Sequence, residues 1–270
     1  EAANRADKPV VILKIGATER GASMAASHTG HLAGADAAVE GLFRQHGVTR
    51  VRDLDELLET ANLFSKLPRG TGPRCALYSV SGGSTTLMAE LADSYQVPVP
   101  ALAPATVGRL YEHLPSYVSV SNPIDNGGVF VMAAPQEKRL EVLDLIAADP
   151  EIDVAVIGLT AALGILSDRF AADARDWAPG GAKPMVAVWG SVITEGEGYK
   201  ALVESGVPIF RSFRKCFRAL RAFARSREAS ARFRVREMEP MTLDAAQERA
   251  LSRPGTLDTA AAAALLRGAG

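Results

Sequence analysis

The stretch Cys75-Ala76-Leu77-Tyr78-Ser79-Val80-Ser81-Gly82-Gly83-Ser84-Thr85-Thr86 decides how this chain is read. Its first six residues are apolar or small, as in a strand covered on both faces. Two glycines flanked by hydroxyls then make a turn, and Thr85–Tyr95 follows with helical periodicity, opening near Ser84. Strand, glycine turn and helix make one βα unit, and the alternation recurs in both directions. Strands are predicted at Val10–Ile15, Cys75–Val80, Val97–Val99, Tyr117–Val120, Asp153–Leu159, Met185–Trp189 and Val207–Phe210. Helices are predicted at Asp36–His46, Leu54–Phe64, Thr85–Tyr95, Ala105–His113, Glu137–Ala148, Asp168–Trp177 and Phe213–Arg225. Such alternation defines an α/β chain built on a doubly wound, mostly parallel sheet.

The alternation is interrupted at Leu67-Pro68-Arg69-Gly70-Thr71-Gly72-Pro73, whose prolines and glycines continue neither helix nor strand. It stops again near Arg227–Pro240. Residues 73–228 are therefore predicted as one doubly wound domain. Residues 1–70, with one clear strand and two helices, are expected to be the tail of a second, similar domain that starts upstream. Residues 229–270 are expected to be a linker that leads into the Ala/Leu helix pattern Asp258–Gly270.

At 270 residues the chain suits one large or two smaller domains, and 47% hydrophobic residues suffices for a substantial core. The formal net charge of −1 offers no basic field for nucleic acid. The local excess of arginine at Arg211–Arg236 reads as a solvated helix face. Cys75 and Cys216 both sit in apolar patterns, as reduced core residues of a cytoplasmic protein do. No run reaches the ~20 apolar residues that span a bilayer, and no signal peptide is visible. Neither nucleic acid nor a membrane is expected as a partner.

Three stretches could carry chemistry. Ser27-His28-Thr29-Gly30-His31-Leu32-Ala33-Gly34 follows the apolar run Pro9–Ile15 and places His28 on a small-residue loop. Gly16, Gly21 and Gly30 permit close backbone approach. Ser23, Ser27 and Thr29 offer hydroxyls, and the helix that starts after Gly34 offers unpaired N–H groups to an anion. A neutral imidazole is a competent nucleophile towards phosphorus, so His28 fits a phosphate carrier. A histidine hydrogen-bonded within a tight loop is the competing account. His28 and His31, with only Asp36 nearby, make no complete ligand set, and no metal site is assigned. His46 and His113 end helical patterns and suit C-terminal caps.

The second stretch is the glycine turn, where Gly82, Gly83 and Ser84 would cradle phosphate at a helix N-terminus. It is neither a Walker loop nor a G-x-G-x-x-G fingerprint, and an ordinary βα turn capped by Ser84 competes with the cradle. The third is Ser121-Asn122-Pro123-Ile124-Asp125-Asn126-Gly127-Gly128. Loops at strand C-termini hold ligands in such folds, which makes Asn122 and Asp125 candidates. Plain turn chemistry explains the same residues. Trp189-Gly190 ends a strand at the same sheet edge.

In this order and spacing, the residues resemble the NDP-forming acyl-CoA synthetases, the superfamily of succinyl-CoA synthetase and the ADP-forming acetyl-CoA synthetases. Lys14-x-Gly16, Gly21 and Ser27-His28-Thr29-Gly30-x-Leu32-Ala33-Gly34 look like the family's phosphohistidine segment. Ser81-Gly82-Gly83 resembles the turn that opens the following flavodoxin-like domain, and Asn122-Pro123-Ile124-Asp125 its Asn-Pro-x-Asp turn. Lys183–Trp189 and Gly206–Phe210 look like its late strands, and Leu257–Gly270 like the lead-in to an ATP-grasp domain. Ser81 departs from the small apolar or amide residue of many relatives.

The resemblance implies a flavodoxin-like, succinyl-CoA synthetase-like fold and an acid–thiol ligase. Such an enzyme interconverts acyl-CoA, NDP and phosphate with free acid, CoA and NTP. Acyl phosphate forms, its phosphoryl group passes to His28, and the phosphohistidine swings to a distant nucleotide site. Ser27, Thr29, Gly30, Gly82, Gly83 and Ser84 would bind phosphate on the way. CoA, ATP or ADP, and Mg2+ would serve the complete enzyme without a site in this chain. The partners implied are a CoA-binding domain and an ATP-grasp domain, in the same polypeptide or another. The acidic residue that orients the histidine in relatives would precede residue 1. The acid, the choice of ADP or GDP and the oligomeric state stay open. Two alternatives stand beside this one: an inactive synthetase-like regulatory module of a protein acetyltransferase, and a plain flavodoxin-like domain for another anionic ligand.

Overall fold

A computed structural model describes residues 2–29, 36–159 and 163–232, with isolated positions between 245 and 262; for His28 and Thr29 it describes the backbone only. Two compact units divide the chain, residues 1–233 and 234–270. The first begins with α1 (Ala2–Arg5), β1 (Val11–Leu13), α2 (Glu19–Thr29), α3 (Asp36–His46), β2 (Thr49–Val51) and α4 (Leu54–Lys66). It continues with β3 (Cys75–Ser79), α5 (Gly82–Ser94), α6 (Pro104–His113), β4 (Ile124–Asp125), α7 (Gly128–Ala133) and α8 (Gln136–Ala148). Its last elements are β5 (Val154–Leu159), α9 (Ile165–Trp177), β6 (Met185–Trp189), α10 (Glu197–Glu204), β7 (Ile209–Phe210) and α11 (Phe213–Arg232).

Five strands form one parallel sheet in the order β4-β3-β5-β6-β7. From β3 the chain steps to one side for β4 and then to the other for β5, β6 and β7. This is the doubly wound flavodoxin-like order, and its switch point lies beside the C-terminal end of β3. Alternate strand residues feed two separate cores. Ala76, Tyr78, Ile157, Leu159, Ala187 and Trp189 face one of them, under α6 to α10. Cys75, Leu77, Val154, Val156, Val186 and Val188 face the other, under α4, α5 and α11. Gly158 shows how closely the second layer approaches, since a Cβ there would lie 2.7 Å from both Met88 Sδ and the Phe213 ring. Both cysteines are free and buried.

A smaller parallel sheet pairs β1 with β2, Val11 opposite Thr49 and Leu13 opposite Val51. Helix α4 links it to the larger sheet. Leu63 and Phe64 on α4 enter the second core, and the Phe64 and Phe223 rings meet edge to face, 5.4 Å apart. The basic residues of α11 divide: Arg214, Arg225 and Arg232 are exposed, as expected of a solvated face, while others pair with α4. Lys215 lies 3.4 Å from Asp55 and Arg218 2.7 Å from Glu56, so they tie α11 to α4.

The predicted helices match observed ones to within a few residues, apart from α11, which continues to Arg232. Two predicted strands are absent. Val97–Val99 contains Pro98 and is followed by Pro100, neither of which can donate to a ladder, and the Pro98 carbonyl joins the sheet edge by accepting from Cys75 N–H. Tyr117–Val120 is not a strand either; β4 comes later, at Ile124. Helices α1, α2, α7 and α10 and strand β2 were not expected. No described helix is long and apolar enough to cross a membrane.

Candidate functional site

The predicted site residues divide between the two sheets. Leaving β1, the chain turns at Gly16, whose φ of +83° belongs to the left-handed region that glycine enters without strain. Thr18 then caps α2. Its Oγ1 accepts the Gly21 N–H at 3.1 Å, and its carbonyl accepts the Ala22 N–H at 2.7 Å. Here the expectation of a small-residue loop around His28 is corrected, because the backbone is helical through Thr29. The physical reason lies in Ala22, Ala25 and Ala26, strong helix formers, with Glu19 favourably placed in the first turn. Ser27 is exposed and donates from Oγ to the Met24 carbonyl at 2.8 Å. His28 therefore stands in the last turn of α2. Its side chain, that of Thr29, and Gly30 to Gly34 lie outside the described residues.

The glycine turn occupies the C-terminal end of β3, at the switch point. Helix α5 begins at Gly82, earlier than expected, because Ser81 and not Ser84 is the N-cap. Ser81 is extended, with φ −142°, and its Oγ accepts the Ser84 N–H at 3.4 Å. Ser84 itself is buried in the first turn. Helix geometry leaves the N–H groups of Gly82 and Gly83 without intrahelical acceptors, at the positive end of a 13-residue helix. The two glycines face different surroundings. Among the described residues, a Cβ at Gly83 would find only Ser81 Oγ, 3.8 Å away, so none of their side chains crowds the space above it. A Cβ at Gly82 would lie 3.1 Å from Asp125 Oδ2.

Asp125 reaches that position from β4, next to β3 in the sheet. Its Oδ1 accepts the Gly127 N–H at 3.0 Å, which fixes the carboxylate beside the helix start. Asn122 has a different task. Its Oδ1 accepts the Leu77 N–H at 2.9 Å, and its Nδ2 donates to the carbonyls of Cys75 and Pro100, both at 2.8 Å. One side-chain amide thus satisfies the strand edge that the predicted strand at Tyr117–Val120 would have covered. Asn126, fully buried, donates from Nδ2 to Tyr78 Oη at 2.6 Å and binds the Ser79 carbonyl through its backbone N–H. Burial pushes the Tyr78 hydroxyl well above its ordinary pKa, so it stays protonated. Trp189 is buried, and its Nε1 donates to the Ile193 carbonyl at 2.7 Å.

Gly82, Gly83 and Asp125 are thus brought together, and Asn122 holds the edge behind them. The His28 helix belongs to the other sheet. Helix α5 packs chiefly against β3, β4, β5 and α11. Sequence reasoning missed Thr18 as a cap and Asn126 as a buried support; the Thr18-Glu19 pair before Ala22 was the available signal for the first.

Residues 1–64 match the family model of the succinyl-CoA ligase like flavodoxin domain. The ADP-forming acetate–CoA ligase I of Archaeoglobus fulgidus is 31% identical over 232 residues, covering 85% of this chain and 32% of that protein. The alpha subunit of the ADP-forming acetate–CoA ligase II of Pyrococcus furiosus is 35% identical over 150 residues, covering 55% of this chain and 32% of that subunit. The dinucleotide-forming acetyl-coenzyme A synthetase 1 of Ca. Korarchaeum cryptofilum, solved with phosphate and ADP, superposes with a TM-score of 0.67 at 20% identity. That superposition covers 85% of this chain and 49% of the solved one, and it speaks for the fold. These matches support a relationship to the NDP-forming acyl-CoA synthetase superfamily. The acetate–CoA and 4-hydroxybutyrate–CoA ligases among its relatives are named as ADP-forming, and this chain spans about a third of the length of the Archaeoglobus fulgidus and Pyrococcus furiosus proteins given above.

Proposed function

We propose that this chain is the phosphoryl-relay portion of an ADP-forming acid–thiol ligase, with His28 as the carrier. In the direction of ATP synthesis, the lone pair of an imidazole nitrogen attacks the phosphorus of an acyl phosphate. The bond from phosphorus to the acyl oxygen breaks, and the carboxylate leaves. Attack by the terminal phosphate oxygen of ADP then breaks the N–P bond, returns the free imidazole and forms ATP. Acyl-CoA synthesis runs these steps backwards.

The observation that carries this proposal is the glycine-headed start of α5 at the switch point, where no described side chain crowds Gly83. A phosphoryl group in transfer needs preorganised donors wherever its charge halts, and the Gly82 and Gly83 N–H groups would supply them. Ser27, Thr29 and Gly30 would border the carrier, and Ser84 supports the cradle from within the first turn. Asp125 adds a negative charge beside Gly82, which keeps a docked phosphoryl group from being held too firmly. CoA, the nucleotide, Mg2+ and the acid would be bound by the other parts of the complete enzyme, which we place in the cytoplasm. We assign residues 1–70 to the carrier domain, 73–228 to the flavodoxin-like domain and 229–270 to the lead-in to an ATP-grasp domain.

The test is phosphoryl labelling of the full-length protein by radioactive ATP and Mg2+. Wild type should take acid-labile, base-stable label and His28→Ala none. Equal labelling of the two would refute the carrier role. Absence of label from both, with an acetyltransferase domain encoded in the same gene, would favour the regulatory-module alternative.

A further inference from the structure

The segment that carries His28 leaves the small sheet at Lys14 and rejoins the described fold at Asp36, and one side chain holds both places. Arg50, on β2, donates from Nη2 to the Lys14 carbonyl at 3.0 Å and to Asp36 Oδ1 at 2.8 Å. Its Nη1 donates to Asp36 Oδ2 at 2.9 Å and reaches Glu40 Oε2 at 3.4 Å. The carboxylate is therefore gripped by both arms of the guanidinium, a geometry that fixes orientation as well as distance. Arg50 lies opposite Ile12 of β1, so its backbone is fixed by the sheet. It also holds the Asp36 carboxyl below the usual carboxylate range, so the clasp is charged on both sides at neutral pH.

The helices on either side need such a clasp. No described residue of α2 is buried, and none of α3 is. Little apolar burial anchors them, and elements of that kind open locally at small cost. Phosphoryl transfer, in contrast, tolerates little misplacement of the attacking nitrogen. We infer that Arg50 is a positioning residue for the phosphoryl carrier, its guanidinium clamping Lys14 and Asp36, the described residues that flank the His28 segment, and so steadying α2. This rests on the carrier role proposed for His28.

The experiment compares full-length wild type with Arg50→Gln, Arg50→Lys and Asp36→Asn. Asp36→Asn keeps the side chain's size at a half-buried helix start and covers the case in which an Arg50 variant fails to fold. Two readouts are taken: backbone hydrogen exchange at residues 19–27, with β3 and β5 as internal reference, and the initial rate of labelling by ATP. Arg50→Gln and Asp36→Asn should lose at least tenfold of the protection at 19–27 with the reference strands unchanged. Their maximal labelling rate should fall at least tenfold at an unchanged KM for ATP, and Arg50→Lys should recover part of both. Unchanged protection refutes the clasp. Lost protection with a wild-type labelling rate refutes the positioning role and leaves the carrier standing. A wild type that takes no label refutes the carrier itself, and the positioning role with it.

Discussion

Gly83 is the residue at which structural and functional demands separate most cleanly. It sits in the first turn of α5, and among the described residues a Cβ added there meets only Ser81 Oγ, at an ordinary 3.8 Å. Gly83→Ala should therefore leave stability within about 1 kcal/mol of wild type, helped by the better helix propensity of alanine. It should also place a methyl group in the cradle and slow the discharge of phosphohistidine. Chemical denaturation paired with a label-discharge assay in the full-length protein checks both halves, and undiminished discharge would remove Gly83 from the cradle. Asp125 is the opposing case. Asp125→Asn keeps an acceptor for the Gly127 N–H while deleting the charge beside Gly82. Inorganic phosphate should then bind several-fold more tightly, an effect of about 1 kcal/mol for one nearby charge in partly wet surroundings. Titration calorimetry at two salt concentrations measures it; unchanged affinity would separate Asp125 from any phosphate site.

At the scale of elements, Asn122 carries a load normally borne by a strand. Asn122→Ala removes its bonds to Leu77, Cys75 and Pro100 together, and leaves the Leu77 N–H without the acceptor it now has. The expected cost is about 1–3 kcal/mol in urea denaturation, the penalty for a half-buried donor left unmade. The same residue shows where sequence reading stops. Continuous runs at Cys75–Ser79, Val154–Leu159 and Met185–Trp189 were legible as strands because both of their faces are covered and the residues are apolar or small. The run at Tyr117–Val120 looks similar, yet one amide side chain satisfies the edge in its place, and no periodicity reveals that. The glycine turn was legible because glycines flanked by hydroxyls leave few alternatives after a strand. Its cap was misplaced by three residues, since Ser81 and Ser84 both suit the role in composition and only backbone geometry distinguishes them. Helix α2 went unseen because small residues dominate it and it has no apolar stripe. Arg50 was invisible for another reason: its partners Lys14 and Asp36 come together only through the pairing of β1 with β2.

Across the whole molecule, the helix of the proposed carrier and the turn of the proposed cradle follow strands of separate sheets that α4 links. The match to the Archaeoglobus fulgidus ligase covers 85% of this chain but only 32% of that protein. By itself it should therefore make no acyl-CoA from acetate, CoA and ATP; turnover measured with the purified 270-residue chain would contradict the division of labour proposed. Phosphopeptide mapping of the full-length enzyme, treated with ATP and Mg2+, quenched in alkali and kept from acid, tests the central claim most directly. The account predicts phosphate on the imidazole of His28. Phosphate carried solely by another residue, with His28 unmodified, would contradict it.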